Sequence, residues 1–243
     1  MKELKVSPEE LKNIIDNSKI IGSGFFGTVF TYKDHLIKLD KSLFKLLDIN
    51  DIRFAKELIE DHYKYSDQRE DFNDRDQIEY LSNHQKDIKY TKLPEGIVTL
   101  KDVNSKINGI SPGIIIPYHK DHQKLEKLSK KDYQKVLIVL KNLLLAVKEL
   151  ADNRIAQEDL IEANSKNKHK YNVMYKDTTP QIIDLSGDLI AEGEYFINAK
   201  EMYRGLGDII FDFADETNIK RVDLSSFEEN KELLEEFARK IAK

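Results

Sequence analysis

The sequence predicts an α+β fold in which a strand-rich first part is followed by a helical second part. The stretch from residue 20 to residue 39 combines glycines with β-branched and aromatic residues, which favours short strands joined by turns, one of them at Lys33-Asp34. Residues 96–103 and 111–118 have the composition of two further strands. Residues 130–150 then repeat apolar residues at helical spacing, over a stripe wide enough for a buried helix.

The composition limits the class of protein. With 243 residues, of which 40% are hydrophobic and 34% charged, the chain can fold into two lobes with their own cores, and we predict domains over residues 1–118 and 119–243. The net charge of −5, with both signs interspersed, argues against nucleic acid as the main partner. We expect no membrane span and no cleavable signal peptide, and therefore a soluble protein that is cytoplasmic or is secreted into a host cell without such a signal.

The helices are predicted from their caps and their apolar spacing. Residues 7–17 begin with Ser7 as the N-cap, and Glu10 closes a capping box. Ser129 and Asp132 have the same capping-box spacing at the start of the long helix. Further helices are predicted over residues 51–65, 68–83, 202–214 and 225–242, the last with Ser225 or Ser226 as its cap.

The glycine stretch is the part of the sequence that points most directly to a ligand. Gly22, Gly24 and Gly27 are spaced as G-x-G-x-x-G, with Val29 two residues beyond. In a dinucleotide-binding fold the third glycine opens a helix, whereas a strand-forming run follows it here. Glycines let backbone N–H groups approach phosphate oxygens, and Lys38 would bring an ammonium group to the same phosphates. The alternative interpretation is a glycine-rich hairpin of an ordinary β-protein, with Lys38 at the surface.

Three short motifs follow the long helix. The first is Q-E-D-L, which contains Asp159 and begins seven residues after the end of that helix. The second is Y-N-V-M-Y, which predicts a strand preceded by Asn172. The third is Q-I-I-D-L-S-G, which predicts a strand that ends at Asp184.

In their order and spacing, the glycine stretch, the lysine and these three motifs resemble the motifs of protein kinases. L-I-K stands where the family has A-I-K, Q-E-D-L where it has H-R-D-L, and I-I-D-L-S-G where it has D-F-G. The resemblance implies a bilobal protein kinase-like fold, with a five-stranded antiparallel sheet in the N-lobe and a truncated helical C-lobe. It also implies ATP and Mg²⁺ as cofactors.

The resemblance also implies a role for each matching residue. Lys38 and Asp159 would be catalytic, Asp159 by orienting the substrate hydroxyl and accepting its proton. Asp184 and Asn172 would hold Mg²⁺. Asn164, five residues after Asp159, is the alternative to Asn172, which we prefer because it precedes a strand and lies twelve residues before Asp184. The residues implied to bind the nucleotide are Gly22, Ser23, Gly24, Phe25, Phe26, Gly27, Val29 and Lys38.

A glutamate is further implied to pair with Lys38 and hold it on the phosphates. Glu57 lies nineteen residues after Lys38, and Glu79 lies in the predicted helix nearer the next strand. We favour Glu79 and keep Glu57 as the second candidate. For either residue, the alternative is a solvated charge on a helix surface.

The stretch after the third motif is short and lacks an A-P-E motif, and in this it resembles minimal bacterial effector kinases. N-V-M-Y followed by a turn and I-I-D resembles the OspG/NleH group of these kinases, and Q-E-D-L resembles the catalytic loop of the HopBF type. The resemblance implies a protein serine/threonine kinase that acts on host proteins in virulence. It also implies a component of the host ubiquitin system or a heat-shock chaperone as a partner. The alternatives are a pseudokinase that serves as a binding module, a small-molecule phosphotransferase and an AMP transferase on the same fold.

Overall fold

The computed structural model describes residues 1–23, 27–40, 75–101, 112–157, 160–162, 170–183, 185, 195–214, 219 and 224–242. Within these ranges the fold is α+β, with five α-helices. The chain divides into two compact units, Met1–Asn83 with Leu93–Tyr118, and His84–Lys92 with His119–Lys243. The segment His84–Lys92, predicted as part of the first domain, therefore belongs to the second unit. No helix of the described ranges has both the length and the apolar character that crossing a bilayer requires.

The first unit is built around one mixed sheet. Its strands are β1 (Lys2–Val6), β2 (Ile20–Ser23), β3 (Gly27–Tyr32), β4 (His35–Asp40), β5 (Gly96–Leu100) and β6 (Gly113–Ile116), in the spatial order β1-β5-β6-β4-β3-β2. β1 runs parallel to β5, and the other neighbours are antiparallel. The prediction of a five-stranded antiparallel sheet is therefore wrong, because this sheet has six strands and is mixed.

The sixth strand depends on a contact that the sequence pattern does not reveal. β1 is a five-residue segment in which apolar and charged residues alternate, too short to distinguish from a loop by periodicity. Its two apolar residues pair with β5, Leu4 with Val98 and Val6 with Leu100, and this leaves Val6 buried and Leu4 partly buried. A Cβ atom on Gly96 would stand 2.1 Å from the carbonyl oxygen of Lys2, so the glycine permits this close approach.

The helix α1 (Pro8–Asn17) covers one face of the sheet. The predicted capping box is confirmed: the Ser7 N–H donates to Glu10 Oε2 at 2.7 Å, and the Glu10 N–H donates to Ser7 Oγ at 3.1 Å. Leu11 and Ile14 face the sheet and complete its core. The buried residues of this core are Val6, Leu11, Ile14, Phe30, Ile37, Leu39, Val98, Leu100 and Ile115.

The other elements of the first unit also match strong sequence signals. The predicted turn at Lys33-Asp34 joins β3 to β4, with Lys33 at a φ of 51°. The helix α2 (Arg75–His84) overlaps the predicted helix 68–83 and ends one residue beyond it, and the first seven residues of the predicted helix are outside the described ranges. The predicted helix 51–65 also lies outside them.

The second unit is built around three helices, α3 (Tyr133–Asp152), α4 (Tyr195–Ala214) and α5 (Phe227–Ile241). α3 contacts both other helices, and its apolar stripe is buried as predicted. Its N-cap is Asp132, whose side chain accepts from the Lys135 N–H at 3.1 Å, so Ser129 does not cap this helix. α4 begins at Tyr195, seven residues before the predicted start, and Ser226 is the N-cap of α5.

Short strands connect the helices of the second unit. β7 (Gln123–Lys124), β10 (Val173–Lys176) and β11 (Thr179–Ile182) form a sheet in the order β11-β10-β7. β8 (Ile161–Glu162) pairs with β9 (Lys170–Tyr171). The strands β10 and β11 overlap the Y-N-V-M-Y and Q-I-I-D motifs, as predicted. A tight turn with Asp177 at a φ of 55° joins the two strands.

Candidate functional site

In the first unit, the predicted nucleotide-binding residues form a row across the sheet. Gly22 pairs with Val29, Val29 with Lys38, and Lys38 with Ile114. Directly opposed residues of neighbouring strands present their side chains on the same face. Lys38 is only 8% exposed and lies between two apolar neighbours. A lysine at the surface, the alternative raised by the sequence, does not describe this residue.

Two of the three motif glycines lie in the described residues, and they differ in what surrounds them. A Cβ atom on Gly27 would stand 2.7 Å from the Leu39 carbonyl oxygen, so Gly27 is required by the approach of β4. Among the described residues, a Cβ atom on Gly22 would meet nothing within 4 Å. The packing of this part of the chain therefore does not require a glycine at position 22. The open space beside its backbone fits a phosphate group that approaches the chain closely.

The predicted turn between these glycines lies only partly in the described ranges. Gly24, Phe25 and Phe26 are outside them. At the ends of the two flanking strands, Ser23 Oγ and Thr28 Oγ1 are 3.1 Å apart and share a hydrogen bond. This bond fixes both ends of the predicted phosphate-binding turn.

Glu79, the favoured partner of Lys38, lies on the solvent side of α2. Ile78 and Leu81 are buried, whereas Glu79 is exposed. The ion pair that α2 forms at its start joins Arg75 to Glu3 at 3.7 Å, and no ion pair joins Glu79 to Lys38 within the described residues. Glu57, the second candidate, lies outside those residues.

In the second unit, the backbone of Asn172 links the other two predicted motifs. Its N–H donates to the Leu160 carbonyl at 3.0 Å, and its carbonyl accepts from the Ile183 N–H at 2.9 Å. Leu160 directly follows Asp159, and Ile183 directly precedes Asp184. Asp159, Asp184 and the alternative ligand Asn164 are outside the described ranges. The structure thus brings together the chain positions that adjoin the predicted catalytic and metal-binding aspartates.

Gln157 adds a side-chain link between the same two loops. It stands where the kinase motif H-R-D-L has its histidine, and the sequence alone predicts no contact for it. The residue is 6% exposed, and its Nε2 donates to the Ile183 carbonyl at 3.2 Å. A buried glutamine needs such partners for its amide, so the glutamine keeps a structural connection at this position.

A second buried glutamine holds the segment 84–92 against β11. Gln181 Nε2 donates to Thr91 Oγ1 at 2.6 Å and to the Lys92 carbonyl at 3.1 Å, while Gln181 Oε1 accepts from the Lys92 N–H at 3.0 Å. Thr91 in turn accepts from the Ile182 N–H at 3.1 Å. Sequence reasoning missed this network. The signal for it was a glutamine at a position where the strand pattern requires burial.

Tyr171, the residue before Asn172, is anchored at two points. Its hydroxyl donates to Asp212 Oδ2 of α4 at 2.8 Å, and its N–H donates to Glu126 Oε1 at 3.0 Å. Burial, together with the adjacent Asp212 carboxylate, raises the pKa of Tyr171 well above its ordinary value. The phenol therefore stays protonated and acts as a donor over the whole physiological pH range.

The described residues contain no group of three or more histidine, aspartate or glutamate side chains that could hold a metal ion. The predicted Mg²⁺ ligands are Asn172 and Asp184, whose amide and carboxylate oxygens are the ligand atoms that Mg²⁺ prefers.

The sequence matches no known protein-family model, and no curated protein is significantly similar to it. The functional conclusion therefore depends on the residues themselves.

Proposed function

We propose that this protein is a Mg·ATP-dependent protein serine/threonine kinase of minimal, bilobal form. The observation that carries the proposal is the pair of backbone hydrogen bonds through which Asn172 joins the residues next to Asp159 and Asp184. A phosphoryl transferase needs a group that orients the acceptor hydroxyl and oxygen ligands for Mg²⁺ close together. The buried Lys38 and the open space beside Gly22 in the first unit support the same proposal.

Each residue has a chemical role in this proposal. The backbone of the glycine turn and the Lys38 ammonium would bind the phosphates of ATP. Asp159 would orient the substrate hydroxyl and accept its proton. Asn172 and Asp184 would hold Mg²⁺, which neutralises charge that develops on the transferred phosphoryl group. Glu57, or Glu79 after a movement of α2, would pair with Lys38.

The biological setting is proposed from the resemblance to minimal effector kinases. We place the protein among bacterial effectors that modify host proteins, with a ubiquitin-system component or a heat-shock chaperone as the candidate partner. The pseudokinase, the small-molecule phosphotransferase and the AMP transferase are the competing activities. Each alternative predicts a different outcome when the protein is incubated with Mg·ATP and candidate substrates, so one experiment can separate them.

The test is mass spectrometry of a eukaryotic and a bacterial lysate after incubation with the protein and Mg·ATP. We expect phosphoserine and phosphothreonine on eukaryotic proteins that are absent with Asp159→Ala and retained with Asp16→Ala, an exposed aspartate of α1. Proteins that carry AMP instead would contradict phosphoryl transfer. ATP binding without any modified protein would favour the pseudokinase, and ATP consumption that depends on an added aminoglycoside would favour the small-molecule enzyme.

A further inference from the structure

Side-chain hydrogen bonds, in addition to strand pairing, fix the two-residue strand β9 that precedes Asn172. β9 pairs with β8 through Ile161 and Tyr171, which is one short antiparallel contact. Tyr171 adds the hydrogen bond of its hydroxyl to Asp212 and the hydrogen bond of its N–H to Glu126. Tyr171 is 7% exposed, so the bond of its hydroxyl to Asp212 is partly buried.

The groups that accept these bonds are themselves fixed. Glu126 belongs to a single turn of 3-10 helix, Leu125–Lys127, in which Leu125 is fully buried. Asp212 lies on α4, and the Lys130 ammonium donates to its backbone carbonyl. On the other side of Asn172, the strand β10 pairs with both β11 and β7. Asn172 is therefore the one residue between an anchored tyrosine and a strand paired on both edges.

We propose that Tyr171 is a positioning residue for Asn172, and that its bond to Asp212 holds the Asn172 amide oxygen where it can bind Mg²⁺. This inference rests on the proposed function. A metal ligand must be held within a narrow range of positions, and partners one step removed from the ligand commonly change metal affinity tenfold or more. Tyr171 acts through the chain and does not itself contact the metal or the nucleotide.

The chain offers a matched control for the removal of this hydroxyl. Tyr175, on β10, is also buried, at 6% exposure, and within the described residues its hydroxyl makes no hydrogen bond. Tyr171→Phe and Tyr175→Phe are therefore the same chemical change in two neighbouring strands. Only the first removes a hydrogen bond to a carboxylate.

The experiment compares the affinity of the full chain for AMP-PNP, which cannot be turned over, in Mg²⁺ and in EDTA. We expect Tyr171→Phe to weaken binding about fivefold to tenfold in Mg²⁺ and to leave binding in EDTA unchanged. Tyr175→Phe should match the unmodified protein in both conditions. Asp212→Asn, which keeps an acceptor for the phenol, should lie close to the unmodified protein, and Asp212→Ala should match Tyr171→Phe.

A double-mutant cycle shows whether the effect passes through Asn172. Asn172→Ala should remove most of the advantage of Mg²⁺ over EDTA, and adding Tyr171→Phe should then change nothing further. Hydrogen exchange gives a measurement that needs no nucleotide: the amides of Asn172 and Ile183 should exchange faster in Tyr171→Phe than in Tyr175→Phe.

The outcomes separate this inference from the proposed function. If the unmodified protein binds AMP-PNP no better in Mg²⁺ than in EDTA, both are overturned. If it does bind better in Mg²⁺, and Tyr171→Phe keeps that advantage or weakens binding equally in both conditions, the proposed function stands and the positioning role is overturned. Unchanged exchange at Asn172 and Ile183 also overturns the positioning role.

Discussion

A glycine can be needed for the packing of the fold or for the approach of a ligand. The two described glycines of the nucleotide motif show the difference. Gly27 lies against the Leu39 carbonyl, so its missing side chain is a requirement of strand packing. Within the described residues, Gly22 has no neighbour within 4 Å of an added Cβ atom, and it has no positive φ, so alanine fits there without strain. Two glycines of one motif thus differ: Gly27 is needed for strand packing, whereas Gly22 leaves room for a phosphate.

Alanine at each glycine should therefore give opposite results. We expect Gly27→Ala to lower the free energy of unfolding by about 1 to 3 kcal/mol, because a backbone atom must move. Gly22→Ala should change it by less than about 0.5 kcal/mol, yet weaken Mg·ATP binding because the methyl group occupies the phosphate approach. Thermal denaturation with and without Mg·ATP measures both effects. Normal Mg·ATP binding by Gly22→Ala would contradict a phosphate site beside this glycine.

Among the elements, the first and the last described helices have a glutamate in the N-terminal cap that responds to pH. In α5, Glu229 Oε2 accepts from the Ser225 N–H at 2.8 Å and from Ser226 Oγ at 2.9 Å. The Ser225 backbone bond, followed by the Ser226 hydroxyl, holds the pKa of Glu229 below its ordinary value of 4.5. In α1 the Ser7 backbone has the same effect on the pKa of Glu10.

The direction of the pH effect follows from these lowered values. A carboxylate with a lower pKa in the folded state stabilises the fold above its ordinary pKa, and this contribution disappears as the pH falls through the folded value. We expect Glu229→Gln to have a lower melting temperature than the unmodified protein at pH 7, with the difference shrinking as the pH falls below the ordinary carboxyl pKa of 4.5. Glu232→Gln removes an exposed charge from the same helix without touching the cap and is the control. A pH-independent difference for Glu229→Gln would contradict the charged cap.

How much of each element the sequence could predict depends on whether the cause is local. The capping box of α1, the buried stripe of α3 and the turn at Lys33 are set by residues within a few positions of each other, and all three were predicted correctly. β1 could not be predicted, because its burial depends on pairing with a strand more than ninety residues away. The mixed sheet follows from that one contact. In the candidate site, Gln157 and Tyr171 were missed for the same reason, since their partners are distant in sequence.

At the scale of the whole molecule, neither compact unit is a continuous piece of chain. The second unit takes in His84–Lys92 from between two parts of the first unit. Two residues outside this segment hold it. Gln181 donates to the Thr91 hydroxyl, and Glu149 Oε2 accepts from the Lys89 and Tyr90 N–H groups at 2.7 and 2.9 Å. Because α2 ends where the segment begins, these hydrogen bonds also fix the chain that leaves α2.

The interleaved arrangement predicts that the stability of the second unit depends on residues outside any 119–243 fragment. Gln181→Ala would remove one hydrogen bond of the Thr91 hydroxyl and would leave the N–H and the carbonyl of Lys92 without their Gln181 partners, so we expect a loss of about 1 to 3 kcal/mol in the free energy of unfolding. Gln134→Ala, at an exposed position of α3, should change it by less than about 0.5 kcal/mol. Urea denaturation followed by circular dichroism measures both variants, and hydrogen exchange should locate the loosened amides at residues 88–92 and in β11. If Gln181→Ala is as stable as Gln134→Ala, the glutamine does not hold this segment.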